Sequence, residues 1–426
     1  MFLNSMVRVR PACVSAWFAL ILSLSLGSAA QAELTLEHAE SLALSADPAA
    51  QRFDSESQAL QALAIAAGEL PDPMARLGFM SLPVDSFNLG QEAMTQVVAG
   101  VVQRFPRGDT RSLEQRRLRE RASGQDHAAA DQRLLTVLSV RERYLEVVLQ
   151  QRLQTLTGTA RSVFAGLADI TRDYYATGRA QQQDVLQASV ELARIEERAL
   201  QYEQREHEAR AELAAFVGPA AHDELTSAWP ILPEVPAAGE LKAALAEHPR
   251  LLALQQQVLA AETGVDLADE RYRPEFAVDV SYGLRSGSDP QGVSRPDLFS
   301  AMVVMDLPFF HEKRQDQVKA ARLAESSATA YRRDDTWRKL RADLERSLAA
   351  LKTVEQRREL FESVLLPQAE FSAEASFEAY QSAVGDLTGL LRARIAEYEL
   401  GLDHARVQAE VLRLRARLLY LGGETP

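Results

Sequence analysis

The sequence predicts a mostly α-helical protein with a small β part, laid out twice along the chain. Three observations carry this. No proline interrupts the span from Arg107 to Gly218, which is rich in Ala, Leu, Gln, Glu and Arg. Two pairs of short segments alternate apolar and polar residues, the period of a half-buried strand. And landmarks recur in the same order at a nearly constant offset, the signature of internal duplication. Tyr175, Thr177, Leu186, Ala188 and Gly218 correspond to Tyr380, Ser382, Leu391, Ala393 and Gly423. Pro48, Pro73 and Pro106 likewise correspond to Pro249, Pro274 and Pro308.

The chain begins with a segment apart from this plan. Arg8 and Arg10 precede an apolar run, Ala12 to Leu26, and Ala30-Gln31-Ala32 forms a small-x-small site. Residues 1–32 therefore read as a secretory leader cleaved after Ala32, too short and wrongly flanked for a membrane anchor. The single cysteine, Cys13, lies inside it. No disulfide or thiolate metal site is expected in the mature chain, nor N-terminal lipidation, since no cysteine ends the apolar run. Lys and Arg number 47 against 60 Asp and Glu, a formal net charge of −13. That balance argues against a nucleic-acid partner, which needs a basic face for the phosphates. No stretch after the leader approaches the roughly 18 apolar residues of a membrane helix.

The first copy is expected over residues 33–218 and the second over 240–423, joined by a Pro-rich connector, 219–239. In the first copy, strands are expected near 74–82 and 94–105 and long helices near 111–177 and 179–217. In the second, strands are expected near 275–285 and 297–307 and long helices near 312–382 and 386–421, with Pro367 as a kink. At about 1.5 Å per residue the longest helix would span on the order of 100 Å. Helices of that length point to a coiled coil or helical barrel. Leu391, Ile395, Tyr398, Leu402, Ala405, Ala409, Leu412, Ala416 and Leu419 form an a/d seam. The matching series in the first copy is interrupted by Glu197, Gln204 and His207, so the two hairpins are not expected to pack identically.

In the strands, Phe276, Val278, Val280, Tyr282 and Leu284 fall on one face; Glu275, Ala277, Asp279, Ser281, Gly283 and Arg285 fall on the other. The partner segment places Phe299, Ala301, Val303, Met305 and Leu307 on the apolar side. The first copy matches with Ala75, Leu77 and Phe79, then Val97, Ala99, Val101, Gln103 and Phe105. The charges Arg76, Arg104, Glu275, Asp279, Arg285 and Asp306 all fall on the opposite face. Apolar-out, polar-in alternation is the pattern of a transmembrane β-barrel; a single such pair equally describes a hairpin packed on a helix. Four strands cannot close a barrel, and an open edge in lipid leaves backbone groups unsatisfied. Membrane strands would therefore require oligomerisation, and three chains would supply twelve strands.

These features resemble the TolC-like outer-membrane efflux factors over essentially the whole mature chain. The resemblance rests on the duplication and on the openings "ADPAAQRFDSESQ" and "AEHPRLLALQQQV". It rests also on Pro73 and Pro274 before the strands and on the exits "RFPRGD" and "DLPFF". Most specific is a Tyr-x-x-Gly turn followed by Asp-Val-Leu: Tyr175, Gly178, Asp184, Val185 and Leu186. The resemblance implies a homotrimer, with a shared 12-stranded β-barrel in outer-membrane lipid and an α-helical barrel in the periplasm. It implies as partners a periplasmic adaptor and an inner-membrane pump of the RND type, and no cofactor. It makes the two Tyr turns the periplasmic tips, with Tyr175, Gly178, Arg179 and Asp184 in one and Tyr380, Gly385, Asp386 and Arg392 in the other as gate candidates. Lumen candidates are Arg76, Arg104, Asp279, Ser281 and Asp306. The second tip departs from the pattern: Ala383 stands where glycine is usual, and Gly389 where Asp184 stands in the first. An acidic ring there is in doubt, and Asp184 reads equally as a solvated helix charge.

A fainter resemblance, through "GFMSLPVDSF" and "QEAMTQ", is to the metal-efflux branch of the family. Met74, Met80, Met94, Met302 and Met305 all fall in the expected strands, all but Met305 on the polar face. Thioethers suit Cu(I), although apolar packing explains them as well. The chain carries no phosphate loop, GxSxG or HExxH. Its seven histidines are scattered without ligand spacing. An enzyme is not expected. The competing reading is a periplasmic coiled-coil adaptor or scaffold, which shares the leader and long helices but needs no strand pairs with charge-free faces.

Overall fold

The computed structural model describes residues 33–226 and 228–423. The expected leader, 1–32, lies outside the described residues. The chain runs α1 (Leu36–Ser45), α2 (Pro48–Gly68), β1 (Met74–Met80), β2 (Gln96–Phe105), α3 (Thr110–Ala176) and α4 (Gln182–Val217). After a connector come α5 (Ala238–Ala244), α6 (Pro249–Glu270), β3 (Phe276–Leu284), β4 (Leu298–Met305), α7 (Gln315–Leu360), α8 (Leu366–Gln381) and α9 (Leu387–Leu421). The α-β-β-α-α order thus occurs twice. With 67 residues, α3 spans about 100 Å. Between α7 and α8 the chain remains helical through Pro367 by passing a π turn, Phe361–Leu365. A widened turn of this kind makes room for the proline ring and for the carbonyl of the preceding turn that loses its N–H donor.

The strands form one antiparallel sheet in the order β1-β2-β3-β4. That order arranges the helices, because each strand joins a helix at the same end of the sheet. Helix α2 packs on α3, α3 on α6 and α6 on α7.

Beyond the sheet, α3 becomes the spine of a second bundle with α4 and α9. Leu149, Leu153, Phe164 and Leu167 of α3 share a core with Ile195 and Tyr202 of α4 and with Leu391, Tyr398 and Leu402 of α9. Helix α4 contributes Ala188, Ile195 and Tyr202 to this core, one residue every two turns; nearer its end Ala209, Leu213 and Val217 join a separate core with α1. The polar residues that break its seam lie outside this line. Helix α9 buries two faces instead. Its a/d seam meets α3, while Val407 and Val411 pack against Val354 of α7.

Both Pro-initiated helices are capped from the residue before proline, by different chemistry. Asp47 accepts from the N–H groups of Ala49 and Ala50 at 3.0 Å, and from Thr136 Oγ1. At the matching position His248 is fully buried. Its Nδ1 accepts from the Arg250 N–H at 3.3 Å, and its Nε2 lies 3.0 Å from the Tyr420 carbonyl. Asp131 of α3 approaches Nδ1 at 4.0 Å and accepts from the Tyr420 hydroxyl at 3.0 Å. Burial holds the imidazole below its ordinary value of 6.5; Asp131 opposes this, whereas Arg250 and Arg417 add to it. Burial raises the Asp131 carboxyl and pushes Tyr420 up to about 12.

A depressed histidine value means that the folded state resists protonation. The stability this site contributes is present above about pH 6.5 and lost as pH falls toward the folded-state value. Protonation also removes the lone pair that caps α6. Thermal unfolding of the wild type should therefore shift downward as pH falls below about 6.5. The His248→Asn variant, which keeps a capping acceptor without titrating, should show a flatter profile. An identical slope in the variant would place the titration elsewhere.

Candidate functional site: the sheet and the helix tips

The register sets the chemistry of each face of the sheet. Arg76, Gly100, Ser281 and Ser300 stand in one cross-strand row, and Met74, Val102, Asp279 and Met302 in the next on the same face. On the other face Leu77, Ala99, Tyr282 and Phe299 form a row, and Ala75, Val101, Val280 and Ala301 the next. The apolar face is bare within the chain: Leu77 is 81% exposed and Phe299 70%. The polar face is crowded, with Asp279 only 6% exposed. A soluble hairpin packed on a helix would have the reverse arrangement.

A gap in β2 makes the crowding possible. Arg76 on β1 reaches across to Asp279 on β3, with Nη1 to Oδ2 at 2.8 Å. The strand between them offers Gly100 at the crossing. A Cβ there would lie 2.7 Å from the Ser281 Cβ and 2.9 Å from the Val280 carbonyl oxygen. Ser281 is buried in the same row. Arg104 lies on this face near the end of β2 and is exposed. Asp306 follows β4 and closes its base: it accepts from the Glu275 N–H and pairs with Arg107. Of the methionines, Met74 and Met302 share the Asp279 row. Met80 lies beside Gln96, whose Nε2 is 3.3 Å from its sulfur. Met94 falls in the turn before β2. Among the described residues no cluster of three His, Cys, Asp or Glu could hold a metal ion.

The two helix tips lie together. Tyr174 and Tyr380 meet with ring centroids 5.6 Å apart, and the Arg179 guanidinium covers the Tyr174 ring at 4.1 Å. Tyr174 is absent from the residues selected by sequence; Tyr175, its selected neighbour, is 48% exposed. The only cue was that a tip of two consecutive tyrosines can turn either one inward. In the first turn Gly178 has φ +72, and the N–H groups of Arg179 and Ala180 return to the Tyr174 carbonyl. In the second, Ala383 takes the same left-handed conformation, with φ +59, and Val384 and Gly385 return to Ala379. Val384 projects from the tip, 85% exposed.

The differing acids perform one task. Asp184, three residues inside α4, reaches back to the Gln181 N–H at 2.9 Å. In the second turn Asp386 stands at the cap itself and accepts from the Gly389 N–H at 2.6 Å. Each tip thus has one carboxylate bonded to the start of its second helix, and Gly389 supplies the donor where Asp184 supplies the acceptor. Arg392, one turn further on, is exposed.

With this geometry in place, residues 241–424 match the family model for outer membrane efflux proteins. The fold is similar to that of the outer membrane protein VceC from Vibrio cholerae, with TM-score 0.77 and 18% identity over 91% of this chain and 96% of that one. It is similar to CusC, with TM-score 0.77 and 12% identity over 92% and 93%. The CmeC outer membrane channel of Campylobacter jejuni gives 0.77 and 12% over 91% and 85%. At these identities the structures establish a shared fold. No curated protein matches by sequence. The resemblance to TolC-like outer-membrane efflux factors is borne out.

Two outcomes follow from this geometry. An L-residue in the left-handed region costs roughly 1–2 kcal/mol. Gly178→Ala, which meets no neighbour, should therefore destabilise the first tip by about that much, and Ala383→Gly should stabilise the second by about 1 kcal/mol; hydrogen exchange at the tip amides reads both. Gly100→Val should block the path from Arg76 to Asp279 and leave a buried carboxylate unpaired, a change worth about 3–5 kcal/mol. Arg76→Gln, which keeps a donor and the space, should be milder in urea unfolding of the detergent-solubilised protein.

Proposed function

We infer that this chain is an outer-membrane channel protein with a periplasmic helical tunnel, a passive duct and not an enzyme. One observation carries the reading. The sheet turns an apolar face outward, crowds its charges onto the other face, and ends in two strands, β1 and β4, with open edges. In hydrocarbon every backbone N–H and C=O needs a protein partner. Three chains side by side would supply twelve strands and pair β4 of each with β1 of the next. The helices that continue the strands would then form a tube. Among the described residues no helix is long and apolar enough to cross a membrane.

In this reading the chain is the outer component of a tripartite system. The paired tips, built on Tyr174, Gly178, Arg179, Tyr380 and Asp386, face the periplasm, where an adaptor and an inner-membrane pump of the RND type would meet them. Rotation of the tip helices would open the duct, biased by adaptor contact. The first copy would be 33–218 and the second 240–423, each supplying one hairpin to the tube. For a heavy-metal cargo the supporting feature is the pair of thioethers, Met74 and Met302, on the polar face. The adaptor or scaffold reading is not favoured, because among the described residues the only sheet is the four-stranded one.

The test is fractionation of the tagged mature protein, followed by detergent extraction and gels run with and without heating. An outer-membrane species, extracted only by detergent and migrating as a trimer until heated, is expected. A soluble monomer would overturn the reading. A matched pair of variants adds a residue-level check. Phe299→Arg places a charge on the lipid face, at a cost of up to about 2–4 kcal/mol, and should abolish the heat-sensitive trimer. Ser300→Arg, one residue on and facing the other way, should keep it.

A further inference from the structure

A cavity of about 740 Å³ opens where the sheet meets the long helices. It lies on the side of the polar sheet face, whose extension at Glu275 forms part of its wall. Five arginines line it, Arg107, Arg117, Arg271, Arg314 and Arg322, against two acids, Glu114 and Glu275. Both acids are already engaged, Glu114 with Arg117 and Glu275 with Arg107. Arg107 also pairs with Asp306, and Arg322 pairs with Glu325 outside the lining. Among the described residues, Arg271 and Arg314 have no acidic partner.

The backbone adds to this field. Helices α3 and α7 both start at the cavity, where Thr110 and Gln315 form part of the lining. The cap residues Asp109 and Arg314 make no capping hydrogen bond of their own; at α3 the Glu270 carboxylate accepts from the Asp109 N–H at 3.1 Å, which leaves the first-turn N–H groups beyond it open. The positive ends of two long helices therefore face a space that already holds two unpaired guanidinium groups. This excess of positive charge sits in a chain of net charge −13.

We propose that this cavity is a binding site for soluble oxyanions of the phosphate class, held by Arg271 and Arg314 with the open N–H groups of α3 and α7. Guanidinium forks match the oxygen geometry of such anions, and uncapped helix starts supply further donors. The same groups repel a bare cation. The biological use of the site rests on the channel reading, in which it forms a cationic collar where barrel passes into tunnel, so that anionic solutes concentrate there on their way out. Its existence does not rest on that reading, because binding can be measured on protein that conducts nothing.

The experiment is calorimetric titration of inorganic phosphate into the detergent-solubilised mature protein at constant ionic strength. Sodium chloride and a short-chain phosphatidylglycerol serve as comparison probes. Saturable binding of phosphate is expected, weakened about ten-fold or more in Arg271→Gln/Arg314→Gln and unchanged in Lys339→Gln, which lies on α7 away from the cavity. Should the double variant fail to fold, the two single variants, each at an exposed position, give the same comparison. Phosphate binding no tighter than chloride, equal binding by the variants, or binding of the lipid probe alone would overturn the proposal. Single-channel conductance separates the two readings. Phosphate binding without conductance would remove the duct and keep the site; conductance without phosphate binding would do the reverse.

Discussion

The two open edges of the β1-β2-β3-β4 sheet are the constraint on which the rest of this structure depends. A sheet with one bare apolar face and unpaired N–H and C=O groups along β1 and β4 is not a finished structure in lipid. Its strand order dictates which helices lie side by side, so the packing of α2, α3, α6 and α7 is a continuation of strand pairing. In the proposed channel, further copies of the chain would complete both edges. The narrow seam of α4, which leaves Leu186, Val190 and Leu200 exposed, fits the same logic.

Duplication here preserves tasks more faithfully than residues. The helix that follows each tip turn has one carboxylate at its start, and Asp184 and Asp386 supply it from opposite sides of the cap. The helices that begin at Pro48 and Pro249 need an acceptor, and Asp47 and His248 both provide one. The left-handed residue of each tip is Gly178 in one copy and Ala383 in the other. Backbone geometry imposes these requirements. Several side chains satisfy each, with different consequences for strain and for response to pH.

Charge is distributed with the same economy. The acidic total of the chain gives no hint of the arginines gathered where sheet becomes helix. On the sheet itself Gly100 leaves a corridor through which Arg76 neutralises Asp279. Both features require residues from strands or helices far apart in sequence to be placed on one face by register.

The sequence by itself determined what depends on short-range periodicity. Alternation with a period of two assigned the faces of the strands, and the cross-strand rows keep every charge opposite Leu77, Tyr282 and Phe299. Heptad spacing identified the buried seam of α9, and proline spacing exposed the repeat. Only the tertiary structure decided which of Tyr174 and Tyr175 turns inward, that α9 buries a second face through Val407 and Val411, and that His248, Asp131 and Tyr420 form one cluster. The physical reason is the same in each case. Local pattern reports which side of an element is apolar. The rotation of one long helix against another, and hence which polar groups meet across 289 residues of chain, is set by the packing of all of them together.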